Sequence, residues 1–539
     1  MPLSLVYRKL SVPRWCRYIG IALVIACTYN SQASSTEETL YIGNSGEPGT
    51  LDPHRYNLRL EETLLNDLFM GLTTFSARGE IVPGAATHWT VSDDGLTWTF
   101  SLRKNLRWSD GTPLTADDFV YSLRRLMNPE TAASLAYFMY MLENAEAVNQ
   151  GKRPVTDLGV RSEGPHTLVM QLAAPYPFLP ERLLYPTAFP VPRHVINKVG
   201  TAWTKPEHWV SNGAYTLVHW QPEAHIELQH NSHFFDPVAI QRARYLPLAN
   251  EQAAYNRYRN GELHAIASFP ANELSSVEKN HGDSLRQSPL LSMMYLVFNT
   301  RRPPFDDVRV RAALASVIDQ NLLADKVLRS GASPALTFTP ELIADYQAPT
   351  VHQRQPPGDL IKRAKQLLAE AGYDAKRPLR ITLRHVSGNE EKRVNLAVAG
   401  MWRQLGVQTQ LQQGTMNAHF ADLRQGDFDV AWAGWIGESN AEHYLGLLAS
   451  DVGDVNYGAY HSAKFDQLIG QARTQADIET RNKLLQQAEA VALSESPVVP
   501  LYSLASRRLV NPRLGGWYDN PRDIHPLRYL HLAPDRPSP

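Results

Sequence analysis

The sequence predicts an α/β fold in which mixed sheets are flanked by helices. Between residues 379 and 434, short apolar segments and amphipathic stretches follow one another as β-α-β-α-β, a pattern that favours parallel strands joined by right-handed crossovers. Capped segments with apolar residues at helical spacing recur elsewhere. A chain of 539 residues with prolines crowded between 172 and 215 is expected to divide into about three domains.

The first 33 residues stand apart. Arg8, Lys9, Arg14 and Arg17 precede the apolar stretch Ile19 to Ala26 and the small-residue site Ser31-Gln32-Ala33, the layout of a secretory signal peptide. Val24-Ile25-Ala26-Cys27 offers an alternative, a lipidation site that would anchor the protein through Cys27. Both cysteines, Cys16 and Cys27, lie in this leader. Cleavage after Ala33 would therefore leave no disulfide, thiolate nucleophile or Cys-ligated zinc. The formal net charge of −1 becomes mildly more acidic when that basic leader is lost, which argues against nucleic acid or an anionic membrane as the main partner.

Along the remaining chain, Leu96, Trp98, Phe100 and Leu102 alternate as in a half-buried strand. SDGTP (109–113) reads as a turn, and Thr115 with Asp118 as a capping box opening a helix to about Leu126. The seven prolines from Pro175 to Pro206 exclude long regular elements and mark a candidate hinge. Asp306 or Asp307 should cap a helix over VRVRAALASVIDQNLLADKVL. A second helix from Asp359 to Ala371 puts Leu360, Ile361, Ala364, Leu367, Leu368 and Ala371 on one face and stops at Gly372. Then come the strand of Leu379, Ile381 and Leu383, a helix over 390–404, the strand of Val407, Thr409 and Leu411, a helix over 417–424, and the continuous apolar run FDVAWAG (428–434) expected of a strand buried on both faces.

If that last strand ends near Gly434, Trp435 and Glu438 lie at its carboxyl end, where open α/β sheets bind ligands. An aromatic wall lowers the local dielectric and strengthens the attraction of Glu438 for a cationic ligand group such as an α-ammonium. No G-x-S-x-G, H-E-x-x-H, phosphate-loop or dinucleotide motif occurs, so no enzymatic activity and no cofactor is expected. His225, His230 and His233 lie close in sequence, but a solvated or ligand-adjacent role is favoured over a metal site.

Several stretches together resemble one family. GEPGTLDPH (46–54), LRKNLRWSDGTPLTADDFVYSLRRLMNP (102–129), VSNGAYTLVHWQPEAHIELQHNSHFFD (210–236), VFNTRRPPFDDVRVRAALASVID (297–319) and FDVAWAGWIGESN (428–440) look like the motifs of extracellular solute-binding proteins of the peptide/nickel class. The likeness is greatest to the periplasmic oligopeptide-binding proteins of ABC importers. It implies a class II periplasmic binding protein of two lobes that close over a ligand, with an extra domain. The implied division is a signal peptide (1–33), a discontinuous domain I (34–70, 194–291 and 506–539), domain II (71–193) and domain III (292–505).

The resemblance further implies a monomer in the periplasm that binds short peptides in extended form and delivers them to an inner-membrane permease and its ATPase subunits. The alternative ligands are murein peptide, haem, a nickel chelate or another cationic solute. By analogy with the family, Glu438 would pair with the peptide's ammonium. The main chain near Gly434, Trp435 and Ile436 and near Val297 and Asn299 would hydrogen-bond the peptide, with Tyr295 beside it. Trp432 stands where the family has an Arg for the ligand carboxylate, a second such Arg falls on Leu423 beside Arg424, and an acid of the family appears as Asn57.

Overall fold

The computed structural model describes residues 38–349 and 357–534. The expected leader, with Cys16 and Cys27, therefore lies outside the described residues. Among those described, no helix is long and apolar enough to cross a membrane.

Three main sheets organise the chain. A seven-stranded sheet runs in the order Leu285–Arg286, Arg508–Val510, Ala265–Ile266, Leu40–Asn44, Arg242–Pro247, His225–His230 and Tyr215–Gln221. It gathers strands from three distant stretches of sequence. Its strand Leu40–Asn44 pairs in parallel on both sides, whereas the hairpin from Tyr215 to His230 is antiparallel. The second sheet is antiparallel and has four strands, Ala86–Val91, Thr97–Leu102, Thr167–Gln171 and Val160–Ser162. One continuous apolar core joins these two sheets.

The local expectations hold in this part. Trp98, Phe100 and Leu102 are buried along Thr97–Leu102, and Gly111 takes φ +84° in the predicted turn. Helix Ala116–Met127 starts at Thr115, whose amide donates to Asp118 Oδ2 at 2.8 Å. The proline-rich crossing forms only short helices, among them Leu179–Arg182 and Arg193–Val199.

The third sheet has six strands, in the order Ser333–Pro334, Val498–Ser503, Ser292–Phe298, Val430–Ile436, Arg380–Val386 and Gln408–Gly414. The expected β-α-β-α-β unit is there, with helices Asn389–Arg403 and Met416–Gln425 as its crossovers. Its strands are parallel to one another, yet Val430–Ile436 is antiparallel to Ser292–Phe298, so the sheet is mixed. Separate apolar cores cover its two faces, which is why Ser292–Phe298 is buried at every position.

Two helices differ in detail from the sequence reading. Asp307 caps a helix that runs only from Val308 to Ser316, and the chain resumes as a wider helical turn, Leu322–Leu328. Asp319 Oδ1 accepts from Leu322 N at 3.1 Å, so a fresh cap divides what the apolar spacing joined. The second helix spans Pro357–Glu370, and Gly372 takes φ +90° just beyond its end.

Candidate ligand-binding cavity

The end of strand Val430–Ile436 reaches the site. The strand pairs with Ser292–Phe298 along its whole length but with Arg380–Val386 only at Val430 and Ala431. In an antiparallel ladder, alternate residues turn their N–H and C=O groups toward the same neighbour. Gly437 N donates to Leu291 O at 2.9 Å, so Gly434 and Ile436 face the other way, where the neighbouring strand has diverged. Trp432 O on that side accepts from His419 Nε2 at 2.8 Å. No hydrogen bond among the described residues engages the main chain of Gly434 or Ile436 on the open side.

Trp435 and Ile436 then line a cavity of about 510 Å³, within the range of small-molecule sites. Walls come from three parts of the chain: Tyr56, Asn57, Arg59 and Glu62 on the first, Phe75, Phe138 and Tyr185 on the second, and Trp435, Ile436 and His443 on the third. Arg508, Arg522 and Asp523 close it from the C-terminal segment. Most of this lining is aromatic or aliphatic.

Glu438 requires a correction. The strand runs two residues past Gly434, and Glu438 is fully buried rather than presented to the crevice. Arg182 NH1 lies 3.0 Å from Glu438 Oε1, and Asn440 Nδ2 donates to Oε2 at 3.2 Å. Burial raises the Glu438 pKa against the opposing pull of Arg182. Arg182 is itself held, with its guanidinium 4.9 Å above the Phe138 ring and NH2 donating to Tyr176 OH at 3.0 Å. In this structure the cation beside Glu438 is the protein's own Arg182.

A second ion pair lies beside the first. Glu181 binds Arg522 and accepts from Ser439 N at 2.7 Å, while Arg522 NH2 donates to Ser439 Oγ at 3.0 Å. His443 is neutral, pushed down to about 3 by burial and then by Arg182, and its Nδ1 accepts from Glu438 N at 2.8 Å. Three remote segments therefore meet in one polar junction, with His443 and Arg522 at the cavity wall and Glu438 buried behind them. A comparable junction ties Asp52 to Arg125 at 2.6 Å, with His54 Nδ1 accepting from Arg125 NH1 at 2.8 Å.

Adjacent acids on helix Arg59–Leu68 have different surroundings. Glu61 accepts from four main-chain amides, those of Gly49, Thr50, Asn57 and Leu58, at 2.8 to 3.1 Å, and so fixes the loop that forms one wall. Glu62 is 8% exposed and lines the cavity. Burial raises its pKa.

The sequence profile of the bacterial extracellular solute-binding proteins, family 5 (middle region), matches residues 80–454. The chain belongs to that family. Among curated family members, the probable deoxycholate-binding periplasmic protein YgiS of Escherichia coli (strain K12) is 37% identical over 504 residues, covering 92% of this chain and 94% of its own. The periplasmic oligopeptide-binding protein OppA of Salmonella typhimurium (strain LT2) is 35% identical, covering 89% of this chain and 90% of its own. The solved structure of the Escherichia coli murein tripeptide-binding protein MppA superposes with a TM-score of 0.79 at 34% identity, covering 93% of this chain and 99% of that one. These family 5 proteins are named for binding solutes, and the names differ in which solute.

Within this family 5 chain, only Trp435 and Ile436 of the expected side chains line the cavity, with the open main chain of Gly434 beside them. Trp432 packs into the core with Leu296 and Tyr502, because it lies in the interior of the strand, four residues before the end that reaches the cavity. Tyr295 lies in the opposite core, edge-on to Phe338. Val297 is buried in that core too, and Asn299 donates to Gly426 O and Phe428 O, both at 2.9 Å. Both pair near the start of Val430–Ile436, the end opposite the cavity. Leu423 is core, whereas Asn57 lines the cavity.

Sequence reasoning passed over Glu181, Arg182, Arg522, Arg59 and Glu62. One signal was present: Glu181-Arg182 is a charged pair inside the apolar, proline-rich run PFLPERLLYP, and charges there need partners.

Proposed function

We propose that this protein is the periplasmic substrate-binding component of an ABC importer, which takes short oligopeptides in extended form between closing lobes and passes them to a permease with its ATPase subunits. The observation that carries this reading is the unengaged main chain of Ile436 in the wall of a largely apolar cavity, on a strand edge that stays open back to Gly434. A peptide can add there as a strand, gaining affinity from main-chain hydrogen bonds that do not depend on sequence. The roomy aromatic walls suit varied side chains.

In this reading the protein acts as a monomer after export, and its domains are 34–70 with 194–291 and 506–539, then 71–193, and 292–505. Glu438 holds Arg182 and shapes the wall of the cavity. Named relatives that bind oligopeptides and murein peptide support a peptide ligand, and the deoxycholate-binding relative supports a solute that is partly apolar.

Isothermal titration of the purified protein with di- to pentapeptide mixtures tests the proposal. Saturable binding is expected. Folded protein that binds none of them, with a different solute found by native mass spectrometry of material from the producing cells, would overturn it.

A further inference from the structure

We infer that Glu62, rather than Glu438, is the carboxylate that receives the ligand's cationic group. This inference rests on the peptide reading above and deepens it. Glu438 is closed to a ligand in this structure, since no part of the residue is exposed and Arg182 already lies 3.0 Å from its Oε1. Asp523 at the cavity is bound by Arg508 at 2.7 and 2.9 Å, and Glu181 behind it is bound by Arg522.

Glu62 differs from all of these. It is more than nine-tenths buried, it borders the cavity, and its carboxylate has no hydrogen bond or ion pair among the described residues. Arg59 and Arg522 act on it only through space. Its neighbour Glu61 uses its carboxylate entirely on four loop amides, so helix Arg59–Leu68 is anchored without help from Glu62. A buried carboxylate facing a cavity with no fixed partner is unfavourable in the empty protein and becomes favourable when a cation arrives. A positively charged nitrogen of a peptide, terminal or side-chain, supplies that partner through a charge-assisted hydrogen bond.

The experiment titrates the wild-type protein and the variants Glu62→Gln and Glu62→Asp with trialanine, N-acetyl-trialanine and N-acetyl-Ala-Lys-Ala. Glu62→Gln is expected to weaken binding at least tenfold for a peptide carrying a cation and to leave N-acetyl-trialanine unchanged, with partial recovery in Glu62→Asp. Sensitivity confined to trialanine assigns the contact to the terminal ammonium, and sensitivity shared by the acetylated lysine peptide assigns it to any cationic nitrogen. Thermal unfolding of the empty variant checks the fold, and Glu62→Gln is expected to melt no lower than wild type. Wild-type affinities in Glu62→Gln would overturn the inference while leaving the peptide reading in place. Failure of the wild-type protein to bind any peptide would overturn both.

Discussion

At the scale of single residues, the pair of Arg182 and Glu438 shows how burial reassigns a charge. Both side chains have left water, and each is tolerable only because the other is there. Glu438→Gln alone is expected to destabilise the protein by about 3 kcal/mol, since it leaves Arg182 buried without its anion. Joint replacement, Arg182→Met with Glu438→Leu, is expected to recover most of that loss. Urea unfolding of the two variants checks this, and a single variant as stable as wild type would remove the argument. His443 adds a pH signature. Its imidazole is pushed down from 6.5 to about 3 in the folded protein, so an unfolded chain takes up a proton that the folded one refuses. The stability this residue contributes is full above about pH 6.5 and is lost as pH falls toward 3. In His443→Gln, the slope of unfolding free energy against pH across that window should be shallower by about one proton.

Among the elements, strand Val430–Ile436 was readable as buried, but its two faces were not. An apolar run says that both faces are covered; it does not say which residue meets which cover. Gly434 is small because a Cβ there would come within 2.4 Å of Met294 Sδ, a packing reason unrelated to any ligand. Gly434→Val is expected to cost about 1–3 kcal/mol through overpacking, with partial relief on adding Met294→Ala. Additive losses in that double variant, measured by thermal unfolding, would show that the two side chains do not compete. The helices were legible where a cap and an apolar stripe coincide, as at Thr115 and Asp118. Continuity past Ser316 was misread because the apolar spacing continues across a point where Asp319 caps the chain anew.

For the whole molecule, the two ion pairs of the polar junction act between remote parts of the chain. Glu181 and Arg182 come from the middle segment, Glu438 and Ser439 from the strand's end, and Arg522 from the C-terminal stretch. These contacts hold the walls of the cavity together. Glu181→Gln combined with Glu438→Gln is expected to favour a more open arrangement, visible as a larger radius of gyration in small-angle X-ray scattering of the ligand-free protein. An unchanged radius would mean that apolar contacts alone set the spacing of the lobes.

The sequence by itself determined the α/β class and the β-α-β-α-β unit, because periodicity, caps and glycine stops are local properties of the chain. Collinear motifs such as VFNTRRPPFDDVRVRAALASVID also revealed the family. Only the tertiary structure decided which charges are free. Glu61, Glu62 and Glu438 are the same residue type, yet one binds four amides, one faces the cavity and one is neutralised by an arginine more than 250 positions away in sequence. A carboxylate's role depends on what surrounds it in space, and the seven-stranded sheet, drawn from three distant stretches, sets those surroundings.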